Sequence, residues 1–103
     1  MRKQFRTYQL AVEFYHLSAS LNLPRHLKDQ LSRASSSIAL NLAEGDGRRS
    51  RADQRRFFDI AMGSLRECQS ILDLTSSKDT AVRRKADELA AHLYRLLNAN
   101  RAA

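Results

Sequence analysis

Apolar residues recur every three or four positions along most of the 103-residue chain, which is the spacing of one face of an α-helix. Three short breaks interrupt this pattern, at Leu23-Pro24, at Gly45-Asp46-Gly47 and at residues 75–79. Proline, glycine and short polar runs are typical of the joints between helices. The pattern therefore predicts four helices, over residues 5–21, 25–44, 51–75 and 80–99.

Short joints leave room only for antiparallel neighbours, so the expected fold is all-α, an antiparallel up-down-up-down four-helix bundle. Residues 1–103 are expected to form a single domain, because the chain is too short for two cores. One apolar stripe on each helix is expected to face the core. The stripes are Phe5, Tyr8, Val12, Tyr15 and Ala19; Leu27, Leu31, Ala34, Ile38 and Leu42; Phe57, Ala61, Leu65, Cys68 and Leu72; and Val82, Ala86, Leu89, Leu93 and Leu96.

The ends of the predicted helices carry capping signals. Gly45 follows the last periodic residues of the second helix, where a left-handed residue commonly ends a helix. Ser50 and Asp53 have the spacing of a capping box at the start of the third helix. Asp79 or Thr80 can cap the fourth.

The first helix has a second apolar stripe, roughly opposite the first. Its members are Leu10, Phe14, Leu17 and Leu21. A small bundle buries one stripe of each helix, and the other would leave more apolar surface in water than monomers normally expose. We therefore expect the second stripe to be an interface between copies of the chain. The alternative is that the first helix lies unusually deep in its own bundle.

Positive charge is the main functional signal. The chain has 18 lysines and arginines against 11 aspartates and glutamates, a formal charge of +7, and all but four of the cations are arginines. Guanidinium groups match phosphate oxygens in pairs, and nucleic acid is the expected partner of such a basic chain. The alternative is that the charge only maintains solubility.

The densest positive segment follows the second joint. Between residues 48 and 56 a single acid accompanies five arginines, Arg48, Arg49, Arg51, Arg55 and Arg56. Arg51 and Arg55 are four residues apart, so they lie on one face of the predicted helix. Like charges at that spacing repel one another, and an anion that lies across them relieves the repulsion. These arginines are the candidate phosphate contacts; the alternative is a solvated face on which Arg55 pairs with Asp59.

The segment before that joint combines Asn41, Glu44, Gly45 and Gly47. Asn41 lies beside the apolar stripe, where its amide needs partners. Glu44 lies at the carboxyl end of a helix, where the dipole disfavours an acid, so Arg33, Arg48 or Arg49 should compensate it. We interpret the segment as a structural motif that pins the turn. A catalytic role for Glu44 would require a second acid, a histidine or a nucleophile at a suitable spacing, and the sequence offers none.

Other chemistry is scarce in the sequence. Cys68 lies on an apolar stripe, and the three histidines fall in three different predicted helices, so neither metal nor cofactor binding is expected. No run approaches the roughly 20 apolar residues of a membrane span. The first twelve residues lack the apolar core of a signal peptide, so a cytoplasmic location is expected.

The run from Arg33 to Gly45, continuing through Gly47-Arg48, resembles the hallmark of the four helix bundle protein family, also called the 23S rRNA-intervening sequence protein family. Tyr8-Gln9-Leu10-Ala11 and Arg55-Arg56-Phe57 are similar to its first- and third-helix segments. The resemblance implies ring-shaped homopentamers without a settled enzymatic activity. It also implies a relation to the accessory variability determinant proteins of diversity-generating retroelements, which partner a reverse transcriptase.

Two functions are compatible with these observations. The first is a non-enzymatic homo-oligomer, a pentamer by resemblance, that binds RNA or DNA non-specifically through phosphates. The second is a scaffold whose basic surface docks an acidic protein partner such as a reverse transcriptase. An enzyme such as a nuclease is not expected, because metal ligands and an acid–base pair are missing from the sequence.

Overall fold

The computed structural model describes residues 3–75 and 78–101, and the described residues contain four helices and no strand. The helices are α1 Lys3–Ala19, α2 Arg25–Asp46, α3 Arg51–Leu74 and α4 Thr80–Arg101. They form the predicted all-α four-helix bundle, and their ends fall within two residues of the predicted ones. None of the four has an apolar stretch long enough to cross a membrane.

Each helix packs against its neighbour in the chain, and α4 also packs against α1, so the four helices form a closed square. Side-chain contacts give the direction of α2 against α3. Gln30 Nε2 donates to Glu67 Oε2 at 3.4 Å, and Ser37 Oγ lies 2.9 Å from Ser64 Oγ. Since α3 runs backwards as α2 advances, this pair is antiparallel, as an up-down-up-down order requires.

The pair α1 and α4 is also antiparallel. Lys85 Nζ lies 3.0 Å from Glu13 Oε2, and Arg6 Nη2 lies 4.0 Å from Glu88 Oε2. These ion pairs tie the later part of α1 to the start of α4 and the start of α1 to the middle of α4. They also neutralise charged side chains on the surface formed by α1 and α4.

The two stripes of α1 have the opposite roles to those predicted. Leu10 and Phe14 are completely buried, Leu21 is 8% exposed and Leu17 packs partly buried against the same core. Leu10, Phe14, Leu17 and Leu21 therefore belong to the chain's own core, and the prediction that they form an interface between copies is wrong. The predicted core stripe faces outward instead, with Phe5 44% and Tyr8 37% exposed.

A physical reason for this exchange lies in the neighbours of each stripe. Thr7, Ala11 and Ser18 flank the buried stripe and are themselves buried, so this face of α1 combines large apolar side chains with small ones. Tyr8 and Tyr15 on the outer face carry larger side chains, whose hydroxyl groups would need hydrogen-bond partners if they were buried. Burial of this face places two hydroxyl groups in the core, and Ser18 Oγ has no hydrogen-bond partner among the described residues. The number of buried polar groups therefore does not explain the exchange, whereas the sizes of the side chains do.

The stripes of the other three helices are largely confirmed. All five predicted residues of α4 are buried, whereas Leu27 of α2 and Phe57 of α3 are only partly buried. Phe58, Ile71 and Leu97 join the core although they lie outside the predicted stripes. The core is a single cluster to which every helix contributes.

The helix ends confirm two caps and correct one. Ser50 Oγ accepts the Asp53 N–H at 3.1 Å, and Asp79 Oδ1 accepts the Val82 N–H at 3.0 Å. Gly45 lies inside α2, and the residue that caps this helix is Gly47, with φ −82°, a right-handed conformation. The prediction of a left-handed cap at Gly45 is therefore wrong. The absence of a side chain at this position has another role, described below.

Candidate nucleic-acid interface

The predicted arginines lie together at the turn between α2 and α3. Arg48 and Arg49 lie in the turn, and the other three lie in the first two turns of α3. Arg55 is half-buried and the other four are exposed. In residues 3–75 and 78–101, no ion pair joins an acid to Arg49, Arg51, Arg55 or Arg56, and the alternative pairing of Arg55 with Asp59 does not form.

Arg48 is the arginine that compensates Glu44. Its Nη2 lies 2.9 Å from Glu44 Oε2, one helical turn away, and both side chains are about half exposed. An ion pair of this exposure contributes well under about 1 kcal/mol to stability. It neutralises an acid at the negative end of α2, which supports the structural interpretation of Glu44.

Phe57 orders two of the arginines. The Arg48 Cζ atom lies 4.6 Å from the centroid of its ring, and the Arg56 Cζ atom lies 4.9 Å from it. Cation–π contacts at exposed positions are worth about 0.5–1 kcal/mol each. The ring therefore holds two guanidinium groups close together despite their mutual repulsion. The sequence analysis assigned Phe57 to the core and missed this contact.

Asn41 links α2 to α3 through a serine pair. Its Nδ2 donates to the Ser37 carbonyl at 2.9 Å and to Ser37 Oγ at 3.0 Å, and Ser37 Oγ shares a hydrogen bond with Ser64 Oγ. The amide nitrogen therefore has partners inside a polar contact between two helices. These hydrogen bonds support the interpretation of Asn41 as a structural residue.

Gly45 allows α3 to approach α2 beside the arginine cluster. A Cβ atom at this position would lie 2.6 Å from Phe58 Cε1 and 3.2 Å from Phe57 Cβ. Both aromatic residues therefore depend on the missing side chain. At Gly47 an added Cβ would meet only ordinary contacts, the nearest being the Glu44 carbonyl oxygen at 3.6 Å.

A second basic group lies at residues 83–85, and two of its three side chains pair with acids of the chain. Arg83 Nη1 lies 3.0 Å from Asp73 Oδ1. The hydrogen bonds that Lys85 Nζ donates to the carboxylates of Glu13 and Glu88 raise the pKa of Lys85. Arg83 and Lys85 are therefore paired with carboxylates, whereas Arg49, Arg51, Arg55 and Arg56 form no ion pair with an acid among the described residues.

The described residues contain no group of three His, Cys, Asp or Glu side chains that could hold a metal ion. Cys68 is completely buried, and burial, followed by the nearby charge of Glu67, raises the pKa of its thiol to about 12. These observations agree with its interpretation as a packing residue.

We expect Cys68 to resist alkylation by iodoacetamide at pH 8 in the native protein. The reactive form is the thiolate, and a pKa of about 12 leaves roughly one thiol in ten thousand ionised at that pH. Mass spectrometry should show the unmodified chain without denaturant and full modification in 6 M guanidinium chloride. Rapid native alkylation would contradict the buried position.

No curated protein matches the sequence. The family model described as the 23S rRNA-intervening sequence protein matches residues 4–101. The match includes the α2–α3 turn, with the arginines and the segment from Asn41 to Gly47 described above. The chain therefore belongs to the 23S rRNA-intervening sequence protein family.

Proposed function

We propose that the chain is a non-enzymatic, homo-oligomeric protein that binds RNA or DNA through phosphate contacts at the start of α3. The observation that supports this most strongly is the uncompensated charge of Arg49, Arg51, Arg55 and Arg56, which form no ion pair with an acid in the described part of the chain. Elsewhere, several basic side chains of α1 and α4 pair with carboxylates.

The arrangement favours phosphates over base edges. Arg51 and Arg55 lie one turn apart on α3, so their guanidinium groups can contact neighbouring phosphates of one strand. Arg56 is already ordered on the Phe57 ring, which lowers the entropy cost of its contact. Such binding depends steeply on salt and weakly on sequence.

Self-association would multiply this charge. The outer face of α1 presents Phe5, Tyr8, Val12 and Tyr15, none of which is buried in the chain's own core. We propose that copies associate through this face, as a ring-shaped pentamer if the family resemblance holds. Several copies of a weak arginine cluster would then act as a multivalent surface.

Replacing Arg51 and Arg55 with glutamine is expected to weaken binding to single-stranded RNA and to duplex DNA alike, by about tenfold near 0.1 M salt. Because two phosphate contacts are lost, the slope of log affinity against log salt should fall by about 1.8 for duplex DNA. Fluorescence anisotropy over a salt series measures both quantities.

The matched control is Arg25→Gln with Arg84→Gln. Both arginines are exposed and lie at the opposite end of the bundle, at the starts of α2 and α4. Their substitution removes the same amount of charge as the first double variant. If both double variants weaken binding equally, the start of α3 is not the binding site. If the wild-type protein binds no nucleic acid at low salt, docking of an acidic protein partner becomes the better explanation of the basic surface.

A further inference from the structure

A shallow depression lies next to the arginine cluster, on the outer face of the last two turns of α2. Leu40, Ala43, Glu44, Gly47 and Arg48 line it. Leu40 is 65% exposed, which makes it one of the most exposed large apolar side chains that the structure describes. The role of the neighbouring arginines does not explain an exposed leucine at this place.

The depression is unsuited to phosphate. The Glu44 carboxylate is part of its lining, and the carboxyl end of α2 adds a partial negative charge. Leu40 offers no hydrogen bond at all. A group that enters the depression meets an apolar side chain and a carboxylate together, which suits a partly apolar group that carries hydrogen-bond donors.

We propose that the depression takes an unpaired guanine base of a single-stranded nucleic acid whose phosphates lie on the adjacent arginines. This inference depends on the proposed function. The Arg48 guanidinium, held by Phe57 on one side and by Glu44, offers a flat surface on which a base can stack. Leu40 supplies apolar contact to the base.

Glu44 selects the base. Its Oε2 accepts from Arg48, and its Oε1 accepts no hydrogen bond among the described residues. Guanine presents two adjacent donors, N1–H and the N2 amine, to a carboxylate. Adenine and cytosine place a ring acceptor beside their single amine, and uracil flanks its N–H with two carbonyl groups, so each of them sets an acceptor against the carboxylate.

Four single-stranded RNAs of about 12 nucleotides test this proposal. They consist of uridine except for one central nucleotide, which is G, A, C or U. The wild-type protein should bind the G-containing RNA about tenfold more tightly than the others, the discrimination expected of a good pair of base hydrogen bonds. Glu44→Gln should remove this preference, and Leu40→Ala, which changes no charge, should weaken binding of the G-containing RNA about threefold.

The sign of the Glu44→Gln effect separates base recognition from simple electrostatics. If the site contacts only phosphates, loss of a negative charge tightens binding of all four RNAs equally, and the proposal is overturned. Equal binding of the four RNAs by the wild type overturns it as well. Asp87→Asn removes an exposed acid on α4 and should keep the preference. Failure of every RNA to bind would instead reject the proposed function itself.

Discussion

Phe14→Ala is expected to lower the free energy of unfolding by about 3–5 kcal/mol. The Phe14 ring is completely buried in the core, so truncation removes its apolar contacts and leaves a cavity that neighbouring helices fill only in part. A domain of this size has a total stability of about 5–15 kcal/mol, so the loss is a large part of it. Urea unfolding followed by far-ultraviolet circular dichroism measures the change.

The matched variant is Phe5→Ser with Tyr8→Ser, on the outer stripe of the same helix. Phe5 and Tyr8 are 44% and 37% exposed, so their replacement should change the stability of the isolated chain by less than about 1 kcal/mol. The same double variant should lower the solution mass in light scattering, because it removes the proposed contact between copies. If Phe14→Ala instead dissociates an assembly and leaves the subunit stable, the assignment of the α1 stripes given by the structure is wrong.

The two stripes of α1 illustrate which features of this helix follow from the sequence and which do not. Periodicity is a local property, and it correctly identifies two apolar stripes on one helix. The choice of the buried stripe depends on how α2 and α4 pack against α1, which the local pattern of α1 does not specify. Ala11 and Ser18, which are both buried, lie beside the stripe that faces the core. Small residues next to a stripe are the sequence feature that could have identified it as the buried one.

At the candidate site, the sequence predicts the membership of the arginine cluster but not its internal order. The charge pattern identified the five arginines and the need of Glu44 for a cationic partner, with three arginines as candidates. The structure selects Arg48, because the turn returns its guanidinium to Glu44 and to the ring of Phe57 at the same time. That geometry depends on the distance between α2 and α3, which the spacing of apolar residues in the sequence does not determine.

The close approach of α2 and α3 at Gly45 gives the second large effect. Gly45→Ala is expected to destabilise the protein by about 1–3 kcal/mol. The added Cβ would lie 2.6 Å from a ring carbon of Phe58, which is itself 2% exposed and has no open space to enter. The gain in helix propensity is at most about 1 kcal/mol near a helix end, so the steric cost prevails. Thermal unfolding should show a lower Tm.

Gly63→Ala is the matched control, and its expected effect has the opposite sign. Gly63 lies in the middle of α3, and an added Cβ would meet nothing within 4 Å, so its glycine is not explained by close helix packing. Alanine there should stabilise the chain by about 1 kcal/mol through helix propensity alone. The same chemical change would then raise stability at one position of the bundle and lower it at another. If both variants stabilise the protein, α3 does not approach α2 as closely as described, and the stacking of Arg48 and Arg56 on Phe57 loses its structural basis.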